Sequence, residues 1–310
     1  MTTAFVFPGQ GSQSVGMLGE IAAQQRLVVD TFGEASDALG YDLWALVQQG
    51  PEEQLNRTDK TQPAILTSSV ALWRLWLSEA GARPAYVAGH SLGEYSALVA
   101  AEALTLVQAV RLVECRGQLM QQAVPEGEGA MAAILGLDDA DVIGACAEAA
   151  DGDVVSAVNF NAPGQVVIAG SAGAVARAIE VCKARGAKRA MPLPVSVPSH
   201  CELMRPAAER FADAVTEIDW RMPSIPVVQN VSAAVAPELE TLKRDLLAQL
   251  YNPVRWVESM EYLARQGVTD LVECGPGKVL SGLNKRCVKG VATHNLDTTD
   301  SFAAARAALA

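Results

Sequence analysis

Strand-forming and helix-forming runs alternate along most of this 310-residue chain, which predicts an α/β fold: a parallel sheet covered by helices. Two local patterns sharpen that expectation. Residues 85–103 read as a short apolar strand, a G-x-S-x-G turn centred on Ser91, and a helix-forming run. Between about 125 and 197 the order is β-α-β-β-α-β, the split arrangement of a ferredoxin-like unit. The expected architecture is therefore a parallel-sheet core built from residues 1–124 and 198–310, interrupted by an inserted ferredoxin-like (βαββαβ) subdomain over 125–197. That insertion is expected to wall one side of a cleft above Ser91.

Taken in order, Thr3–Phe7 has the apolar pattern of a buried strand, Pro8–Gln13 is a Gly-rich loop, and a long helical region is expected from Val15 to about Leu39. A second helix is expected from Pro63 to Glu79, because Ile65, Leu66, Leu72, Leu75 and Trp76 recur at helical spacing; Gly81 and Pro84 end it. The apolar stretch Ala97–Val113 is broken by Glu102, Gln108 and Arg111, so it reads as two buried helices and not as a membrane span. Within the insertion the expected elements are strand 131–137, helix 138–150, strands 154–159 and 165–169 joined by an Asn161-Ala-Pro-Gly164 turn, helix 173–185 and strand 188–193. Afterwards come helix 202–217, strand 225–230, helices 239–250 and 253–266, strand 270–274, a helix opened by Gly275-Pro-Gly277, a last strand 291–294 and a surface helix from Phe302.

Composition narrows the function classes. Half the residues are apolar and 19% charged, the balance of an ordinary globular enzyme. A net charge of −11 argues against nucleic acid as a partner, and any acidic protein or anionic ligand must find a local basic patch. Two such patches are candidates for docking: Lys188 with Arg189, and Lys285 with Arg286. Cys115, Cys146, Cys182, Cys201, Cys274 and Cys287 form no C-x-x-C pair and have no histidine ladder beside them, so neither a zinc site nor a redox dithiol is expected. The first residues show no basic n-region and only a four-residue apolar run, and a cytoplasmic location is expected.

The chemistry centres on Ser91. Gly89 and Gly93 have no side chains, so a strand and a helix can meet closely around a strained turn that exposes the serine hydroxyl. The helix that starts there aims its unpaired N–H groups at the oxygen of whatever Ser91 attacks. A serine needs a base within hydrogen-bond reach, and the chain offers three histidines. His90 adjoins Ser91, and its side chain should project away from the nucleophile. His200 lies where the insertion returns to the main sheet, at the mouth of the expected cleft. His294 lies near the end of the chain, where an α/β-hydrolase would carry its base after an acid such as Asp270 or Glu273. Arg116 sits among Leu112, Val113, Leu119 and Met120 on an apolar helix, where a guanidinium requires an anionic partner: either a ligand carboxylate or an internal one such as Glu114 or Glu94.

Several motifs in order carry a resemblance that extends over the whole chain. They are Phe7-Pro-Gly-Gln-Gly-Ser-Gln13, Gly89-His-Ser-Leu-Gly-Glu-Tyr-Ser-Ala-Leu98, Arg111-Leu-Val-Glu-Cys-Arg-Gly117, Val158-Asn-Phe-Asn-Ala-Pro-Gly-Gln-Val166, Val197-Pro-Ser-His200, Gln249-Leu-Tyr-Asn-Pro-Val254 and Glu273-Cys-Gly-Pro-Gly277. Together they resemble the acyltransferase family that charges carrier proteins from coenzyme A thioesters. The resemblance implies an α/β-hydrolase-like core with a ferredoxin-like insertion, as the segment order does independently. It further implies Ser91 as nucleophile, His200 as base, Gln249 as a residue that orients His200, and Gln10 with the backbone N–H of Leu92 as the oxyanion hole. Arg116 would bind the free carboxylate of a malonyl group. The implied substrates are malonyl-CoA and the phosphopantetheine thiol of an acyl carrier protein in fatty acid biosynthesis, with no metal, no resident cofactor and no membrane. Ser199, just before the histidine, differs from the aromatic or other small residue frequent in multidomain polyketide members, and together with the chain length this favours the free-standing form.

Overall fold

The computed structural model describes residues 2–195 and 197–309. Its strands are β1 (Thr3–Phe7), β2 (Tyr86–Gly89), β3 (Gly129–Leu135), β4 (Val155–Ala162), β5 (Gln165–Ser171), β6 (Arg189–Pro192), β7 (Val227–Val228), β8 (Asp270–Glu273) and β9 (Ala292–Asn295). Among the described residues they form a parallel sheet in the order β7-β2-β1-β8-β9 and an antiparallel sheet in the order β4-β5-β3-β6.

β1 is the central strand, and its period of two explains why both faces of the sheet are covered. Phe5 and Phe7 point to one side, into a cluster that includes Trp73, Trp76 and Leu98; Ala4 and Val6 point to the other, against Trp256, Met260 and Leu271. The Phe5 ring meets Trp73 and Trp76 edge-on at 5.3 Å between centroids, an arrangement favoured by aromatic quadrupoles.

The antiparallel sheet has the strand order expected of a βαββαβ unit, with its first strand, β3, in the interior beside β5 and its last, β6, at the edge. Helices Asp139–Ala150 and Ala172–Ala184 cover one face through Val142, Cys146, Val175 and Cys182. The other face, with Met131, Val158 and Val167, packs on Cys201 just after His200. Pro163-Gly164 makes the two-residue turn between β4 and β5, with Gly164 at φ 68°.

Elsewhere the structure departs from the sequence expectation for local reasons. The long helix expected over 15–39 is two, Gly19–Ala22 and Arg26–Leu39, because Leu18 enters with φ 60° and the chain pauses before Arg26. Short helices Leu43–Gln49 and Glu52–Leu55 were not anticipated; Asp42 caps the first by accepting the Ala45 N–H at 2.8 Å. The helix expected from Pro63 begins at Thr58, and Pro63 is carried in its second turn without an amide proton for the Asp59 carbonyl. The strand expected at 225–230 shrinks to Val227–Val228, since Asn230 turns its amide away from the ladder to a buried carboxylate. The terminal helix, Thr299–Leu309, buries Phe302 against Trp76 and so is not wholly superficial. Among the described residues, no helix is long and apolar enough to cross a membrane.

Candidate active site

Ser91 stands at the junction of β2 and the helix Gly93–Ala100, with φ 51°, in the left-handed region that non-glycine residues avoid. The elbow closes only because its flanks are glycine. A Cβ on Gly89 would run into the backbone of Gly93, and one on Gly93 into the Phe7 carbonyl. Asn230 clamps the turn from the far side: its Oδ1 accepts the Ser91 N–H at 2.7 Å while its Nδ2 donates to the Gly89 carbonyl at 2.6 Å.

The Ser91 Oγ lies 2.7 Å from the His200 Nε2. His200 Nδ1 is 2.7 Å from the Gln249 backbone carbonyl, which can only accept, so the ring proton is assigned to Nδ1 and the Nε2 lone pair faces the serine hydroxyl. His200 is itself at φ 66°, held there by its N–H to the Leu250 carbonyl. Burial, then the Arg116 charge, push its pKa down to about 3. An imidazole in that setting stays neutral, with its Nε2 lone pair able to accept a proton.

The three histidines separate cleanly. His90 turns away from Ser91 and meets Asn161 of β4 at 2.7 Å, tying the elbow to the second sheet. His294 pairs with Asp270 at 3.0 Å. Glu273 accepts the Leu280 and Ser281 N–H groups at 2.9 and 2.7 Å, at the start of the helix Val279–Cys287. Neither His294 nor these two acids lines the cavity around Ser91.

That cavity measures about 550 Å³. Gln10, Ser91, Leu92, Arg116 and His200 line it from the core, and Met131, Asn159, Leu193 and Val195 from the second sheet and the chain leaving it. Gln10 is exposed, on a loop pressed against the elbow: a Cβ on Gly9 would come 2.5 Å from the His90 carbonyl oxygen. The Leu92 N–H is engaged by no backbone acceptor among the described residues, as expected at a helix start.

Arg116 is 1% exposed, yet no carboxylate touches it among the described residues. Its Nη1 donates to Gln62 Oε1 and its Nη2 to Gln249 Oε1, both at 2.9 Å; Nη2 also lies 3.4 Å from Ser91 Oγ. The internal carboxylates weighed from sequence are engaged elsewhere. Glu114 pairs with Lys60 at 3.0 Å, and Glu94 accepts from Gln249 Nε2 at 2.8 Å. Gln249 thus acts at two points, its carbonyl on His200 and its carboxamide on Arg116. Gln62 and Asn230 carry no signal in the sequence, and Asn161 is read there only as part of a turn. Glu94, weighed from sequence as a direct partner of Arg116, is instead joined to it through the Gln249 carboxamide.

The two expected docking patches are both exposed. Arg286 donates to Gln165 Oε1 at 2.5 Å and to the Pro163 carbonyl at 2.9 Å, while Arg189 pairs in register with Leu135, itself opposite Gln165. The two basic pairs therefore lie along one end of the antiparallel sheet.

A parallel α/β core with a serine elbow, walled by an antiparallel sheet and holding a buried histidine against the hydroxyl, defines a serine-dependent class of acyl-transfer enzymes. The chain belongs to the acyl transferase domain family, which matches residues 4–297. It is 60% identical over 302 residues to the malonyl CoA-acyl carrier protein transacylase of Escherichia coli strain K12, covering 97% of this chain and 98% of that protein. Among solved structures it is similar to a malonyl-transacylase in complex with its type II PKS acyl-carrier protein (TM-score 0.98, 55% identity, 99% and 100% of the two chains). It is also similar to the malonyl CoA-acyl carrier protein transacylase of Coxiella burnetii (TM-score 0.98, 50% identity, 100% and 98%).

Proposed function

We infer that the chain is an S-malonyltransferase, moving a malonyl group from coenzyme A to the phosphopantetheine thiol of an acyl carrier protein in fatty acid biosynthesis. The observation that carries this reading is Arg116: a buried guanidinium with only neutral acceptors, 3.4 Å from the Ser91 hydroxyl. A malonyl ester on Ser91 would carry its free carboxylate one methylene beyond the ester carbonyl, within reach of that fork. The names of the relatives and of the carrier-protein complex support donor and acceptor alike.

The proposed route is ping-pong. Ser91 Oγ attacks the thioester carbonyl carbon as His200 Nε2 takes its proton, and the oxyanion is held by the Leu92 N–H and Gln10. Collapse breaks the carbon–sulfur bond, and the coenzyme A thiolate leaves with the proton from His200. The carrier thiol then gives its proton to His200, attacks the malonyl-serine, and the serine oxygen is reprotonated as it departs. No step draws on a metal or resident cofactor. We assign the large acyltransferase unit to residues 1–124 and 198–310 and the ferredoxin-like insertion to 125–197. We place the protein in the cytoplasm, in keeping with six free cysteines.

Replacing Arg116 by alanine tests the substrate assignment. Losing one partner of a desolvated, charge-assisted pair costs roughly 2–3 kcal/mol, so kcat/KM for malonyl-CoA should fall about 30- to 150-fold. Acetyl-CoA lacks the carboxylate and should be used as well as before or better. Arg116→Lys should recover only part of the loss, because it keeps the charge without the bidentate fork. Equal loss on both donors would make Arg116 a structural residue.

Acid pH offers a second check. Because the His200 pKa is depressed to about 3, lowering pH through the ordinary histidine range does not protonate the base. With acetyl-CoA as donor, which carries no carboxylate for Arg116, the rate of acyl-enzyme formation, read by quenched intact-mass analysis, should change by no more than about twofold between about pH 8 and pH 5. A midpoint near the ordinary histidine value would contradict the buried, neutral base.

A further inference from the structure

Two opposite charges are buried beside Ser91, and among the described residues neither touches an oppositely charged group. Arg116 and Glu94 are each 1% exposed. Burying either ion alone is costly, and a fold ordinarily brings such ions into contact. Here one carboxamide stands between them: Arg116 Nη2 donates to Gln249 Oε1 at 2.9 Å, and Gln249 Nε2 donates to Glu94 Oε2 at 2.8 Å. We propose that Glu94 is the displaced counter-ion of Arg116, a positioning residue that sets the preference for malonyl through the Gln249 carboxamide. This rests on the malonyl reading given above.

The geometry fixes the amide in one orientation. Both Nε2 hydrogens are used, one on Glu94 and one on the Ser91 carbonyl at 3.0 Å, so Oε1 faces the guanidinium. Turned over, the amide oxygen would meet a carboxylate and a carbonyl while its NH2 met a cation. Glu94 thereby aims the acceptor that holds Arg116. A carboxylate in direct contact would occupy the guanidinium fork and compete with the substrate. Set back by one amide, it balances the charge and leaves an edge of the fork facing the cavity.

Glu94 does not serve as the cap of its own helix. Its remaining contacts are the Asn230 N–H at 3.1 Å and Gln229 Nε2 at 3.4 Å. The ionisable groups that face it are Arg116, the Tyr95 hydroxyl and Asp245, which is paired with Arg244 at 2.9 Å. Desolvation raises the Glu94 carboxyl to about 7, and the N–H donors from Gln249, Asn230 and Gln229 work against that rise. The competing role is plain: through Asn230, Glu94 also braces the elbow. Loss of that brace would slow every donor alike.

The test is Glu94→Gln, which keeps size and can still accept from Gln249 but carries no charge. Assayed at about pH 8, where the carboxylate of the parent protein is ionised, kcat/KM for malonyl-CoA should fall roughly tenfold, with acetyl-CoA changed about twofold at most. Glu94→Asp retains the charge and should keep more of the malonyl-to-acetyl ratio, which also covers the case of a poorly folding glutamine variant. In an Arg116→Ala protein, Glu94→Gln should move the ratio no further, since the group it acts through is gone. Equal losses on both donors, or a full additional effect in the Arg116→Ala background, would overturn the proposal and leave Glu94 as a brace. A ratio that Arg116→Ala itself does not narrow would instead sink the malonyl reading, so the two failures are distinguishable.

Discussion

Ser91→Ala protein should fold normally, form no acyl adduct with malonyl-CoA and transfer about 10^4- to 10^6-fold more slowly than the parent, the scale on which a nucleophile is missed elsewhere. Among the described residues the hydroxyl hydrogen-bonds to His200 and Arg116 alone, so its removal leaves the elbow clamp intact: Asn230 binds the Ser91 backbone N–H and not its side chain. Quenched intact-mass analysis reads the adduct directly, and thermal melting checks the fold. An adduct of normal amount, mapped to any residue other than Ser91, would end the nucleophile assignment.

Exchanging the histidines separates two chemistries. His200→Ala should lose about 10^2- to 10^4-fold in acylation rate, the usual worth of a positioned general base. His294→Ala should stay within about a few-fold of the parent, because His294 bonds Asp270 and lies outside the cavity. Thioester transfer and simple ester hydrolysis should be followed for both variants. An inactive His294 variant beside an active His200 variant would reverse the roles and return the enzyme to hydrolase chemistry.

What could be read from the sequence was local. β1 falls at Thr3–Phe7 as expected, the elbow lies where G-x-S-x-G put it, and the βαββαβ order of the second sheet follows from apolar periodicity and turn residues. Ends shift where a side chain far away in sequence takes part. The strand expected at 225–230 stops early because Asn230 answers to Glu94, across 136 residues of chain. The helix containing Pro63 starts early because proline marks a favoured first position, not an obligatory one. The site divides in the same way. Ser91, His200 and Arg116 belong to recognisable strings, whereas Gln62, Asn161 and Asn230 are polar residues whose partners only tertiary packing supplies. Gln249 was singled out from sequence to orient His200; the contact is made by its carbonyl, which any residue would offer, and its side chain is committed to Arg116 and Glu94.

Ser91 and His200 are both non-glycine residues held at positive φ, a conformation that costs about 1–3 kcal/mol each. Neither would choose it alone. The bonds from Asn230, Gln249 and Leu250 impose it. On the mechanism proposed above, durability and turnover are therefore opposed at these two positions: the chain is tensed where it would react. Selection for a hardier molecule alone would relax those residues first, so only continued demand for the reaction keeps them in place.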